Sequence, residues 1–151
     1  MAELIAIRGT KLLILLGDGG SPEDFAHPCS INAARDVTFE KNLNEDVGID
    51  CDDPDKVGWV IRDAVSKSCT VEGNGKLSID DLELFEGWFN ADESRFAYII
   101  VDVPGGRQYD GLWHCSNLRI GGDRGEKVEV SITLVNDGEI GMGPVTFSEG
   151  A

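Results

Sequence analysis

Long hydrophobic runs are missing from this 151-residue chain: the longest wholly aliphatic stretch, Leu12 to Leu16, has five residues, far short of the roughly 20 a bilayer-spanning helix needs. The start, MAELIAIRGTKLL, does not join a charged opening to a longer apolar stretch and a small-residue cleavage site, so no secretory leader is expected. The sequence reads as a soluble chain made in the cytosol, with no membrane partner. Basic residues are also scarce, 13 Lys and Arg against 28 Asp and Glu for a formal net charge of −15. Such a surface repels phosphate backbones and excludes nucleic-acid binding through basic clusters.

Histidine and paired cysteine are scarce too. Cys29, Cys51, Cys69 and Cys115 form no C-x-x-C pair and are expected to be reduced and mostly buried. The only histidines, His27 in "HPC" and His114 in "HC", lack zinc-ligand spacing, so no metal and no cofactor are expected. Neither a G-x-S-x-G elbow nor a phosphate loop occurs, and "GEIGMG" neither follows a buried strand nor opens a helix. No set of residues supplies a nucleophile, a base and an oxyanion site together, and the expectation is a non-enzyme.

What is present is glycine, 19 residues, between short alternating segments, the pattern of a mainly β protein in one domain over residues 1–151. "KLLILLGDGG" reads as a strand closing in a turn, and "FAHPCSI" as a proline-interrupted edge piece. "ARDVTFEKNL" alternates, with Val37 and Phe39 against Asp36, Thr38 and Glu40. A long acidic loop is expected over about 43–58, crowded with Asp50, Asp52, Asp53 and Asp55 around Pro54. "AVSKSCTVEGNGKL" alternates again, Val65, Cys69 and Val71 against Ser66, Ser68, Thr70 and Glu72, and Gly73 and Gly75 are expected to turn this strand sharply into the helix that follows. The spacing of "SIDDLELFEGWF" predicts one helix, started by Ser78 with Asp81 in a capping-box-like pair, and packing through Leu82, Phe85, Trp88 and Phe89, with Ile79 on the same stripe. "RFAYIIVDVP" reads as a buried strand and "RQYDGLWHCSNLRIGG" as a strand with a bulge. "EKVEVSITLVNDG" alternates, with Val128, Val130, Ile132 and Leu134 inward. A glycine-rich arm closes the chain over about 138–151.

The stretch Thr70 to Asp81, "TVEGNGKLSIDD", mimics a calcium loop when Gly75 is set at position six, yet it lacks the first acidic ligand, and the preceding segment has strand rather than helix periodicity. A calcium-dependent binding module at 70–81 is the alternative function. A third reading is an acidic protein that mimics DNA to block a nucleic-acid enzyme.

The passages "INAARDVTFEKNLNEDVGIDCDD", "KSCTVEGNGKLSIDD" and "GEKVEVSITLVNDGEI", in this order, resemble the major tail (tail tube) proteins of long-tailed bacteriophages, which are similar to tube proteins of gene transfer agents and phage-tail-like bacteriocins. The resemblance implies a β-sandwich or partly rolled barrel flanked by one helix. It implies a structural virion protein assembled in the host cytoplasm, homohexameric rings stacked into a tube, and a conduit for DNA ejection. Tape-measure and tail terminator or tip proteins would be its partners. DNA would pass transiently and without sequence preference, which the acidic charge allows because passage needs no grip. Ring stacking would use the long loop, with Asn44, Glu45, Asp46, Asp50, Asp52, Asp53 and Asp55 as candidates. Strands with one polar face suit a wall with core on one side and water on the other, which makes Thr38, Glu40, Ser68, Thr70, Glu72, Glu129, Ser131 and Thr133 the lumen-facing candidates.

Overall fold

The structure, a computed structural model, describes residues 4–17 and 25–145. Eight strands follow in chain order: β1 (Leu12–Gly17), β2 (Phe25–Ala26), β3 (Arg35–Val47), β4 (Val60–Lys76), β5 (Arg95–Val101), β6 (Arg107–Gly121), β7 (Glu129–Asn136) and β8 (Gly141–Pro144), with α1 (Ile79–Asn90) between β4 and β5. They form one antiparallel sheet in the order β2-β1-β5-β6-β7-β4-β3, with β8 on β6.

The sheet is rolled, because β6 belongs to two neighbourhoods. Its first half pairs with β5 as far as Trp113, and its second half pairs with β7 from Trp113 to Gly121. Rolling brings the far ends of the strand order together: Arg35, opening β3, donates from Nη1 to the carbonyl of Leu12 in β1 at 2.7 Å. Phe39 of β3 stands edge-on to Tyr109 of β6 with ring centroids 5.1 Å apart. Inside the roll lie Ile14, Leu16, Val71, Ile99, Trp113, Val130, Ile132 and Leu134, closed on one side by Phe85 and Trp88 of α1. The expected sandwich or partly rolled barrel is thus a single curled sheet. No described helix is long and apolar enough to cross a membrane.

The helix meets this core on a narrower face than its periodicity predicts. Phe85 and Trp88 are buried and Leu82 and Leu84 half-buried, but Ile79 is exposed and Phe89, expected on the packed face, is 54% exposed. Trp88 fixes the rotation of the helix by donating its indole N–H to the carbonyl of Gly17 at 2.9 Å, which turns Phe89 outward.

The helix start departs from the expected capping box. Ser78 sits at the N-cap but makes no side-chain cap bond. Instead Asp81 accepts from the backbone N–H and the hydroxyl of Ser30 at 2.9 and 2.7 Å, and the Ser30 hydroxyl oxygen accepts from the N–H of Ser78 at 2.8 Å. Ser30 is fully buried, so its donors must be satisfied inside the protein, and the nearest carboxylate is drawn to them. Asp81→Ala would strand both donors. We expect a loss of about 1–3 kcal/mol in urea unfolding, with Asp81→Asn, which keeps an acceptor oxygen, losing less.

Gly73 and Gly75, which the sequence places in a turn, lie inside β4, paired to Arg35 and Ile132 (Gly73) and to Val130 (Gly75). Thr70–Lys76 is therefore strand throughout, and the calcium loop of the alternative reading does not form. The segment 29–33 crosses directly over these glycines, and a Cβ on Gly75 would come within 2.4 Å of the Ser30 carbonyl. His27 anchors the same segment: its Nδ1 accepts from the Ile14 N–H at 3.0 Å and its Nε2 donates to the Ile31 carbonyl at 2.8 Å. The neutral tautomer carrying hydrogen on Nε2 satisfies both.

Other boundaries shift as well. β3 runs through Val47 and β4 begins at Val60, so the loop spans 48–59 instead of 43–58. Val128, expected inward, is exposed. Of the C-terminal arm, Gly141–Pro144 is strand β8, and residues 146–151 lie outside the described residues. Cys69 is buried and Cys115 half-buried, whereas Cys29 and Cys51 are exposed. Burial pushes the Cys69 thiol up to about 11, which keeps it protonated and unreactive at neutral pH.

Candidate functional site: the polar sheet face and the projecting ribbon

Register defines the first feature. Residues directly opposite on paired strands share a face of the sheet. Thr38 stands opposite Thr70, Glu40 opposite Ser68 and Asp36 opposite Glu72. Across the next ladder Glu72 is opposite Thr133, Asn74 opposite Ser131 and Lys76 opposite Glu129. The structure thus brings Thr38, Glu40, Ser68, Thr70, Glu72, Glu129, Ser131 and Thr133 onto one continuous face of β3, β4 and β7. The reverse face of the same strands carries the buried Cys69, Val71, Val130, Ile132 and Leu134. Where these strands meet the core, alternation about the curled sheet puts water on one side and core on the other.

Asn117 and Arg119, opposite Thr133 and Ser131 on β6, belong to this polar face and escape sequence reading. A register shift between Cys115 and Asn117 inverts the alternation of β6 halfway along, so its phase cannot be followed through the bulge. The face is acidic on balance, with Asp36, Glu40 and Glu72 unpaired by any ion pair among the described residues. At its edge the Lys76 ammonium lies 2.6 Å from a Glu129 carboxylate oxygen, holding that carboxyl below its ordinary value and raising its own. Both groups are exposed, so the pair adds little to stability.

The second feature is a ribbon. Beyond a register shift at Asn42/Leu43, β3 and β4 continue as a two-stranded ladder to Val47↔Val60, past the core, with both faces exposed. Asn44, Glu45 and Asp46, expected in the loop, lie on this ladder. Asp50, Asp52, Asp53 and Asp55 lie in the loop at its tip. Arg62 and Glu45 pair across the ladder at 3.2 Å. Leu43, Val47, Val60, Ile61 and Val65 are exposed along it. An isolated two-stranded ladder is marginal in water, and exposed apolar residues at this density mark a surface made to be covered.

The third feature is a pair of free sheet edges. β3 ends the strand order, so its outer edge pairs with no described strand. The ladder between β5 and β6 stops at Trp113, so from Cys115 onward that edge of β6 pairs with no described strand. Long open edges invite pairing with another chain.

A family model described as phage tail tube protein matches residues 6–141. No curated protein sequence matches the chain. Among solved structures the fold is similar to the tail of an empty gene transfer agent particle refined with C6 symmetry (TM-score 0.71, 16% identity, 91% of this chain and 99% of that one). It is similar to the SPP1 tail tube (TM-score 0.63, 12% identity, 93% and 80%). It is also similar to the tube-terminating cap of the anti-feeding prophage (TM-score 0.63, 14% identity, 96% and 95%).

Proposed function

The chain belongs to the phage tail tube protein family, and from that premise we propose that six copies close into a ring and that rings stack into the tube through which DNA leaves the virion. Its role is structural. The observation that carries the six-copy reading is the half-sheet β6-β7-β4-β3, with one polar face, one core face and, on either side, an edge that pairs with no described strand. An edge of β3 meeting the free edge of a neighbour's β6 is a head-to-tail contact, and head-to-tail contacts close into rings when the rotation permits. The C6 symmetry of the gene transfer agent tail supports six as the number that closes.

The dimensions agree with such a conduit. Four strands from each of six copies, spaced about 4.8 Å apart, give a barrel roughly 37 Å across before strand tilt widens it. Side chains then leave a channel that accepts a DNA duplex. With the polar face inward, each lumen carboxylate is repeated around the ring and repels phosphates, so DNA slides without being held; the tape-measure protein would share the same channel. The likeness to a tube-terminating cap supports a terminator of similar fold at the tube end. Assembly would take place in the host cytoplasm, before the tail joins its particle.

Electron microscopy of the purified protein tests this reading. We expect six-fold rings or tubes as concentration rises; a monomer at every concentration and salt condition would contradict it.

A further inference from the structure

Charge and exposure single out the reverse side of the ribbon root, where β3 and β4 leave the core. Lys41 and Lys67 stand directly opposite each other there, and alternation puts them on the face of Phe39 and Cys69, away from the polar one. Like charges directly opposite destabilise a ladder. Neither lysine has an ion pair among the described residues; the pairs found there are Arg62–Glu45, Lys76–Glu129 and His114–Asp137. Beside them opens a groove of about 850 Å³ whose lining includes Phe39, Val65, Lys67, Cys69, Glu139 and Met142. Phe39, Val65 and Met142 are 44%, 60% and 59% exposed. Val65 is the bulge residue left between the pairs Asn42↔Ser66 and Leu43↔Ala64, and a bulge re-aims a side chain. Glu139 is the one carboxylate of the lining, so with Lys41 the groove keeps a positive balance on a chain of net charge −15.

The complement lies just past the end of α1. The turn from Ala91 to Ser94 exposes Asp92 and Glu93, carries no cation and makes no ion pair among the described residues. Carboxylates beyond a helix C-terminus oppose the helix dipole, so this pair, like the two lysines, does nothing for the isolated fold. Arg95, next in sequence, sits over the Trp88 ring, 5.9 Å from its centroid.

Register places this turn where a second copy would arrive. Phe39 is opposite Cys69, whose N–H donates to Asn136 Oδ1 at 2.9 Å; Asn136 is opposite Trp113, and Trp113 is opposite Arg95. These residues form one row across the sheet. On the Gly121 side of that row the outer edge of β6 pairs with no described strand, and on the other side β5 holds it. Each of the ladders β3–β4, β4–β7 and β7–β6 is antiparallel, so β3 of a second copy can extend β6 in the antiparallel sense from Arg35 to about Phe39. Beyond Phe39 it reaches β5, which has curled toward the core. The incoming ladder then passes with its reverse face, Lys41 and Lys67 included, turned to the start of β5 and the turn before it.

We propose that the Asp92–Glu93 turn of one copy seats in the groove beside Lys41 and Lys67 of the next copy in the same ring. The contact rests on the tube reading and adds to it a lock on register. Edge hydrogen bonds alone allow a strand to slip by two residues without changing its faces. Two carboxylates meeting two lysines at each junction select one register and repel a copy presented the wrong way round.

Charge exchange tests it, read by sedimentation velocity and electron microscopy. Lys41→Glu with Lys67→Glu, both exposed, should lower the fraction of protein in rings and tubes by at least about ten-fold, because like charges then face each other across the junction. Asp92→Lys with Glu93→Lys should do the same, and all four together should restore assembly. Asp80→Lys with Glu83→Lys, an equal charge change on the exposed start of α1, should leave assembly intact. Rings indifferent to either reversal, no recovery in the combined variant, an equal loss in the control, or a loss of tubes that leaves single rings whole would overturn the contact while leaving the tube reading standing. Assembly lost on removing residues 146–151 but kept on reversing Asp92 and Glu93 would assign the groove to the chain's own last residues instead. Wild-type protein that forms neither rings nor tubes would overturn the tube reading and the contact together.

Discussion

Tubes carrying Thr38→Lys together with Ser68→Lys are expected to hold duplex DNA that wild-type tubes release. Both residues are exposed on the polar face, Thr38 opposite Thr70 and Ser68 opposite Glu40, so the substitutions disturb no core. If that face lines the channel, six copies turn two lysines into a cationic band where neutral and acidic groups stood. A band engaging six to ten phosphates binds tightly at low salt and loses about 10³–10⁵-fold in affinity between 50 and 200 mM. A short labelled duplex co-sedimented with tubes across that salt range reads the effect. Lysines at Ile79 and Phe89, on the outward side of α1, are the matched control and should retain far less. Equal retention by both variants would place the polar face outside the channel.

The largest effect on folding is expected from Gly75→Val. Its backbone has no positive φ, so conformational freedom is not the reason for glycine there. A Cβ would meet the Ser30 carbonyl at 2.4 Å and the Asn32 N–H nitrogen at 2.7 Å, and both are backbone atoms of a segment pinned by His27, Ser30 and Asp81. Neither neighbour is a flexible side-chain end, so the crossing segment must lift, taking Ile31 out of the core. We expect about 3 kcal/mol of lost stability and a melting temperature lower by roughly 10 °C. Gly143, where a Cβ meets nothing within 4 Å, is the contrast: Gly143→Ala should stay within about 0.5 kcal/mol of wild type.

Both predictions draw on features of unequal legibility. The polar face could be read from the chain because β3, β4 and β7 alternate cleanly where they meet the core, and period two assigns each residue a side. β6 could not be read through its bulge, and Arg119 and Asn117 were missed for that reason. Asn44 to Asp46 look like loop because acidity and turn residues outweigh the weaker alternation of Leu43 and Val47; a ladder exposed on both faces leaves almost no hydrophobic pattern to detect. The helix start failed differently. Ser78 and Asp81 have the spacing of a local capping box, but Ser30, 51 residues from Asp81, competes for the same carboxylate and wins because it is buried. Glycines at 73 and 75 carry the signature of a turn, whereas their reason is the chain crossing over them, a contact that only the tertiary structure reveals. Phe89 was lost to the Trp88 hydrogen bond, which sets helix rotation more firmly than a modest apolar stripe.

The direction in which the polar face points is the centre of the account, and a helical reconstruction of assembled tubes by electron cryomicroscopy reads it directly. The expected map has six copies per ring, with Thr38, Ser68, Thr70, Glu72 and Thr133 on the channel wall, the β3 edge of each copy beside the Cys115–Gly121 edge of its neighbour, and α1 on the outside. A tube with α1 facing the channel, or one whose neighbouring copies leave both sheet edges unpaired, would contradict it.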